Sequence, residues 1–285
     1  MPYSNEKNER SVPRIRGLVV REIMIGETDK LLSVLTAEYG RISVMAKGAR
    51  SIKSKYMMSS QLMCFSEITV YQKSGRFWLR EALPIETFYP IRLELDCYAL
   101  VQYFFDICCE LCPDGHAEGA DEMLRLMLNT LYAIMTCKKS QEQIKAAFEF
   151  KAIATAGFAP ELSGCADCGL QNAESMTLDL IGGTLRCGAC VKKSIKQDIN
   201  NKLMPLNETE RGAVPVKILA PSTLEALRFI ENASVKRFLS FSLAPELMNE
   251  FCAVCEAYLC NQLERGFETL EFWHQLRSRY AAETK

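Results

Sequence analysis

Histidine is almost missing from this 285-residue chain: His116 and His274 are the only two. No HExxH pair, Walker A loop or GxSxG elbow occurs, and the glycines form no dinucleotide fingerprint. No cluster of Asp and Glu has the spacing of a metal nuclease. An enzyme therefore has no motif to stand on. Long apolar runs are lacking as well. The longest, Cys97 to Cys112, is broken by Gln102, Asp106 and Glu110. It is shorter than the ~20 residues that cross a bilayer. The first ten residues, MPYSNEKNER, lack the apolar core of a signal peptide, so a soluble cytoplasmic protein is expected. Thirteen cysteines, an odd number in that setting, point to reduced thiols or metal ligands rather than a disulfide framework.

What is present is an ordinary globular composition, 48% apolar and 24% charged, which excludes disorder. The net charge of -1 conceals an asymmetry. Residues 1–80 hold 14 Lys/Arg against 7 Asp/Glu, and residues 81–285 hold 20 against 28. A basic first part on an acidic body suggests an anionic partner for the first part.

Residues 14–83 read as short strands: Arg14–Ile25, Leu31–Thr36, Ile42–Ala46, then Cys64–Gln72 and Phe77–Leu83. A polar, basic connector from Lys47 to Ser60 divides them three and two. That order predicts a five-stranded Greek-key barrel of the OB type. After Pro84 the period changes to 3.6. Leu124, Met127, Leu128, Leu131 and Met135 share one helical face, as do Ile144, Phe148 and Ala152 in a helix ending at Gly157. Ser222-Thr223-Leu224-Glu225 reads as a capping box. Pro245 suits the first turn of a further helix carrying Leu247, Phe251, Val254 and Tyr258. The expected class is multi-domain α+β. Residues 1–83 form the OB domain, with 1–12 a flexible lead. Residues 84–160 and 196–285 form an α-helical domain, and 161–195 a small inserted module.

That module carries Cys165, Cys168, Cys187 and Cys190, spaced Cys-x2-Cys-x18-Cys-x2-Cys. Each pair can wrap a tight turn, and four thiolates satisfy tetrahedral zinc. One structural Zn2+ per chain is expected, since four thiolates leave no open position for catalysis. Gly169 and Gly188 directly follow ligands, and glycine there is expected to let the backbone turn and point amide N–H groups at the sulfurs. Two further pairs, Cys109/Cys112 and Cys252/Cys255, lie in apolar helical stretches and are expected in the core.

The connector places Lys47, Arg50, Lys53 and Lys55 within nine residues without an acid. With Arg14, Arg16, Arg21, Arg41, Arg76 and Arg80 on the strands, one barrel face can be cationic. Tyr39, Tyr56, Tyr71, Phe77 and Trp78 offer stacking surfaces for bases. The alternative is a solvated loop with those aromatics in the barrel core. The wording Gly26-Glu27-Thr28-Asp29-Lys30-Leu31-Leu32, then Glu38-Tyr39-Gly40-Arg41 and Ala46-Lys47-Gly48-Ala49-Arg50, closely resembles the start of the RecO family of DNA repair proteins. The order of barrel, helical body and four-cysteine segment resembles it too. The resemblance implies binding of single- and double-stranded DNA, strand annealing and recombinase loading. It also implies RecR and the single-strand-binding protein as partners, and a nucleoid-associated location. The family's basic barrel positions map to Lys47 and Arg50. Some members lack the zinc cysteines; this chain has all four. The rivals are a protein-interaction adaptor with incidental DNA contact and an RNA-binding zinc protein.

Overall fold

A computed structural model describes residues 10–11, 14–136, 139–200 and 215–283. Most of the lead, 1–12, lies outside the described residues. The chain forms two compact units, Met1–Thr136 with Thr269–Lys285, and Cys137–Glu268.

The first unit holds a closed five-stranded barrel. After the two-residue β1 (Arg10–Ser11) come β2 (Ile15–Ile25), β3 (Asp29–Thr36), β4 (Gly40–Ala46), β5 (Phe65–Lys73) and β6 (Arg76–Glu86). The order is β1-β5-β2-β3-β4-β6, with β5 also pairing β6. A parallel contact, Val44 with Phe77 and Met45 with Trp78, closes the barrel on that side. In β4 and β5 burial alternates residue by residue, as a half-buried pleated strand requires. Leu32, Val34, Ile42, Val44, Ile68, Val70 and Leu79 fill the interior. Three bulges bend the strands: Val20 is the extra residue opposite β3, and Arg80 and Ile85 the extra residues opposite β5.

Helices α1 (Leu95–Leu111), α2 (Ala120–Thr136) and α7 (Glu268–Glu283) belong with the barrel, α7 from Thr269 onward. The segment after α1 folds onto β4. The Gly115 N–H donates to the Arg41 carbonyl at 2.8 Å, and Arg41 Nε donates to the Cys112 carbonyl at 2.8 Å. Gly40 has φ +66, and a Cβ there would lie 1.8 Å from the His116 carbonyl oxygen. Gly40→Ala is therefore expected to cost at least about 2 kcal/mol, from left-handed strain and a backbone clash together. Urea denaturation checks this; an unchanged midpoint contradicts it.

The second unit contains α3 (Gln141–Thr155), α4 (Gly188–Asn200), α5 (Pro221–Asn232) and α6 (Pro245–Gln262). Ser140 caps α3 by accepting from the Gln143 N–H at 3.2 Å. Ile144, Phe148 and Ala152 are buried, as their spacing predicts, and α3 stops short of Gly157. The capping box is corrected. Helix α5 begins at Pro221 with Ala220 as N-cap and no side-chain cap bond. Proline at the first position fixes the start, and Thr223 is buried inside the helix.

Candidate functional site

The small sheet of the second unit runs β10 (Val216–Leu219), β8 (Met176–Asp179), β9 (Thr184–Cys187), β7 (Glu161–Cys165). Cys165 ends β7, Cys187 ends β9, and Cys190 lies in the first turn of α4. The sheet and the helix thereby bring together four cysteines that the sequence separates. Their sulfurs all lie within 4.8 Å of one another. Cys168 Sγ and Cys187 Sγ are 3.8 Å apart, the edge of a sulfur tetrahedron around a metal at about 2.3 Å. The donor set and spacing fit a metal ion. Among the described residues this is the only group of three or more His, Cys, Asp or Glu side chains so placed.

The sulfurs are prepared by backbone donors. Burial disfavours the Cys165 thiolate, but the N–H groups of Cys187, Cys168 and Asp167 outweigh it and bring the thiol down to about 6. The Leu170 N–H also favours the Cys168 thiolate, but Cys165, Cys187 and burial oppose it and the thiol is raised overall. Thiolates crowd one another, so with its neighbours nearby Cys190 is pushed up to about 12. A cation at the centre removes that conflict. At Gly169 the backbone turns as expected, and the N–H groups that reach the sulfurs are those of its neighbours. The Gly169 N–H goes to the Cys165 carbonyl at 2.8 Å. What Gly169 supplies is its φ of +74, which turns the chain back towards the other cysteines. Gly188 simply opens α4.

At the barrel, the two segments with the most distinctive wording meet. The Gly48 N–H donates to Asp29 Oδ1 at 2.8 Å, and the Arg50 N–H donates to the Thr28 carbonyl at 2.9 Å. The Arg50 guanidinium donates to the Gly26 carbonyl. The Gly48 N–H, then the Thr28 hydroxyl, hold the Asp29 carboxyl below its ordinary value. Asp29 thus anchors the loop at neutral pH, and the anchor weakens as pH falls through the depressed value. Farther along, the bulge at Arg80 frees its carbonyl, which accepts from Tyr56 Oη at 2.7 Å and Lys55 Nζ at 3.1 Å. Lys47, Arg50, Lys53, Lys55 and Arg80 are all exposed.

A family model described as the recombination protein O N-terminal region matches residues 11–88, and its C-terminal counterpart matches residues 92–271. The chain belongs to the recombination protein O family. A DNA repair protein RecO of Acetivibrio thermocellus is 28% identical over 256 residues, covering 90% of this chain and 94% of the relative. One of Symbiobacterium thermophilum is 26% identical over 270 residues, covering 93% and 97%. One of Dehalococcoides mccartyi is 26% identical over 266 residues, covering 93% and 96%. As a RecO chain, then, this is a DNA repair protein with an OB-like barrel and a four-cysteine cluster that can hold a metal ion.

The ten cations named from sequence do not form one group in this RecO barrel. Arg14 pairs with Glu67 at 3.2 Å, and Arg16 stands opposite Glu67 in the strand register. Arg41 is largely buried and spends its guanidinium on the Cys112 carbonyl and on Asp114 at 3.1 Å. Burial raises the Cys109 thiol, and Arg41 and Arg21 both lie near enough to oppose that. Those two arginines therefore sit towards α1. Arg76 lies in the β5–β6 hairpin. Of the aromatics, Tyr56 is in the core, and Tyr39 and Phe77 pack against it. Of the two pairs expected in the core, Cys112 and Cys255 are buried, while Cys109 and Cys252 are half-buried. Among the described residues no helix is long and apolar enough to cross a membrane.

Proposed function

We propose that this chain is a recombination mediator that holds single- and double-stranded DNA through its barrel, residues 1–83, and anneals complementary strands without chemistry of its own. The carrying observation is the meeting of connector and turn. It presents Lys47, Arg50, Lys53, Lys55 and Arg80 as an exposed cationic group. Two strands repel through their phosphates; a cationic surface holding both lowers that barrier, and base pairing supplies the driving force. The scarcity of histidine and the absence of nucleotide-binding or nuclease motifs support a non-enzymatic role. The ion we assign to the four cysteines is Zn2+, held by Cys165, Cys168, Cys187 and Cys190 in a structural role. The acidic remainder of the chain keeps DNA off the helices and leaves them for protein partners, RecR and the single-strand-binding protein, in a nucleoid-associated cytoplasmic setting.

The test is a fluorescence-quenching annealing assay with complementary oligomers, with and without ATP. Annealing is expected to exceed the spontaneous rate without ATP and to fade as salt rises. A need for ATP, or a rate no better than spontaneous at saturating protein, overturns the mediator reading.

A further inference from the structure

We propose that apolar side chains threaded between the connector's cations contact the faces of unpaired bases, so that this end of the barrel grips single strands by a contact that duplex DNA does not make. The proposal rests on the DNA-binding reading above and adds the part of DNA that is touched. Its motive is a set of exposed aliphatic side chains. Ile52 is 89% exposed, the most of any large apolar residue among those described; Met58 is 55%, Met24 51%, Met57 46% and Ile23 42%.

The connector that carries Ile52, Met57 and Met58 is pinned along the β2–β3 hairpin at both ends. Arg50 reaches the Gly26 carbonyl at one end. Lys30 Nζ, on the residue paired with Met24, donates to the Ser60 carbonyl at 3.3 Å at the other. Met24, on the face it shares with Lys30, therefore borders the connector's apolar residues, and the cations stand among these in the order Arg50, Ile52, Lys53, Lys55, Met57. Protein–protein interfaces exclude lysine from their apolar centres. A single strand offers alternating phosphates and apolar base faces, and this surface alternates in the same way. A duplex buries its base faces in the stack. None of the five barrel aromatics is fully exposed, so the stacking part falls to isoleucine and methionine. Methionine suits it, because its thioether is polarizable and packs well on aromatic rings.

The experiment uses the full chain with Ile52→Ser, Met57→Ser and Met58→Ser combined, and Ile52→Ser alone as a variant too exposed to disturb the fold. Each is titrated against a single-stranded oligomer, its duplex, and the same single strand carrying abasic sites, across salt. The triple variant is expected to bind the normal single strand about tenfold more weakly and the duplex less than about twofold more weakly, as lost base contacts dictate. Its salt slope stays that of the parent, because apolar contacts release no counterions. Both proteins bind the abasic strand alike. Parental affinity for the normal strand, or equal losses on single strand, duplex and abasic strand, overturns the proposal, including the case where the patch serves a protein partner instead. A Lys47→Glu/Arg50→Glu chain run alongside separates the two readings. If it loses DNA while the triple variant does not, only the base contact falls; if it also binds normally, the barrel reading falls.

Discussion

Cys168→Ser, or exhaustive chelation of the parent, is expected to release one zinc ion per chain and to loosen residues 161–187. Cys168 is exposed and adds nothing to an apolar core, so its effect isolates the metal. Structural zinc binding is worth about 10–16 kcal/mol in small modules near neutral pH, and that binding free energy is folding free energy. Here Leu162, Met176, Leu178 and Leu185 are buried with the sheet, so some structure persists without the ion. Metal analysis and amide exchange are the measurements. Exchange in β7, β8 and β9 should rise by orders of magnitude while the barrel strands keep their protection. Protons compete for the thiolates, so the parent too should release its zinc as pH falls. Metal content well under one zinc per freshly purified, unchelated chain contradicts the assignment.

Lys145→Met is expected to cost roughly 3–5 kcal/mol, the loss typical when a buried ion pair is halved. Lys145 Nζ lies 2.8 Å from Glu149 Oε1 and 2.6 Å from Glu256 Oε2, with the Lys145 and Glu149 side chains 2% and 0% exposed. Burial opposes the charge on Lys145, but the two carboxylates outweigh it and hold the lysine above its ordinary value. Without the lysine, Glu149 is a buried charge that relieves itself by taking a proton. The native variant then holds a proton that its unfolded chain releases. Its stability should therefore rise as pH falls towards the ordinary carboxylate range. Adding Glu149→Leu should recover most of the loss. Urea denaturation at two pH values decides it; a loss under 1 kcal/mol, or no recovery in the double variant, contradicts the account.

The barrel was readable because its strands announce themselves through alternation and turns: Gly26-Glu27-Thr28-Asp29 and Lys73-Ser74-Gly75-Arg76 both sit where the chain reverses. The four-cysteine cluster was readable from spacing alone. Helix starts were less so. Ser222 resembled a cap, yet Pro221 decided the boundary, because a ring with fixed φ outweighs one optional side-chain bond. The turn at Gly169 was readable, but which neighbouring N–H faces a thiolate was not, since that depends on the turn's dihedrals. The cations were the hardest. Charge in sequence does not say whether an arginine faces water, as Arg80 does, or a carbonyl and a carboxylate, as Arg41 does. The buried pair Lys145–Glu149 was hidden for the same reason: two charges four apart on a helix look like surface until packing shows otherwise.

The most direct test is a DNA-binding titration across salt, with parent and Lys47→Glu/Arg50→Glu side by side. With roughly four to six phosphates neutralised at about 0.7 each, log K for a single strand should fall against log salt with a slope of about -3 to -4. The double variant should bind all sequences more weakly and lose about 1.4 from that slope, because two phosphate contacts are gone and phosphates carry no base information. A flat salt response in the parent, or parental affinity in the variant, contradicts the claim that this barrel holds DNA by its connector.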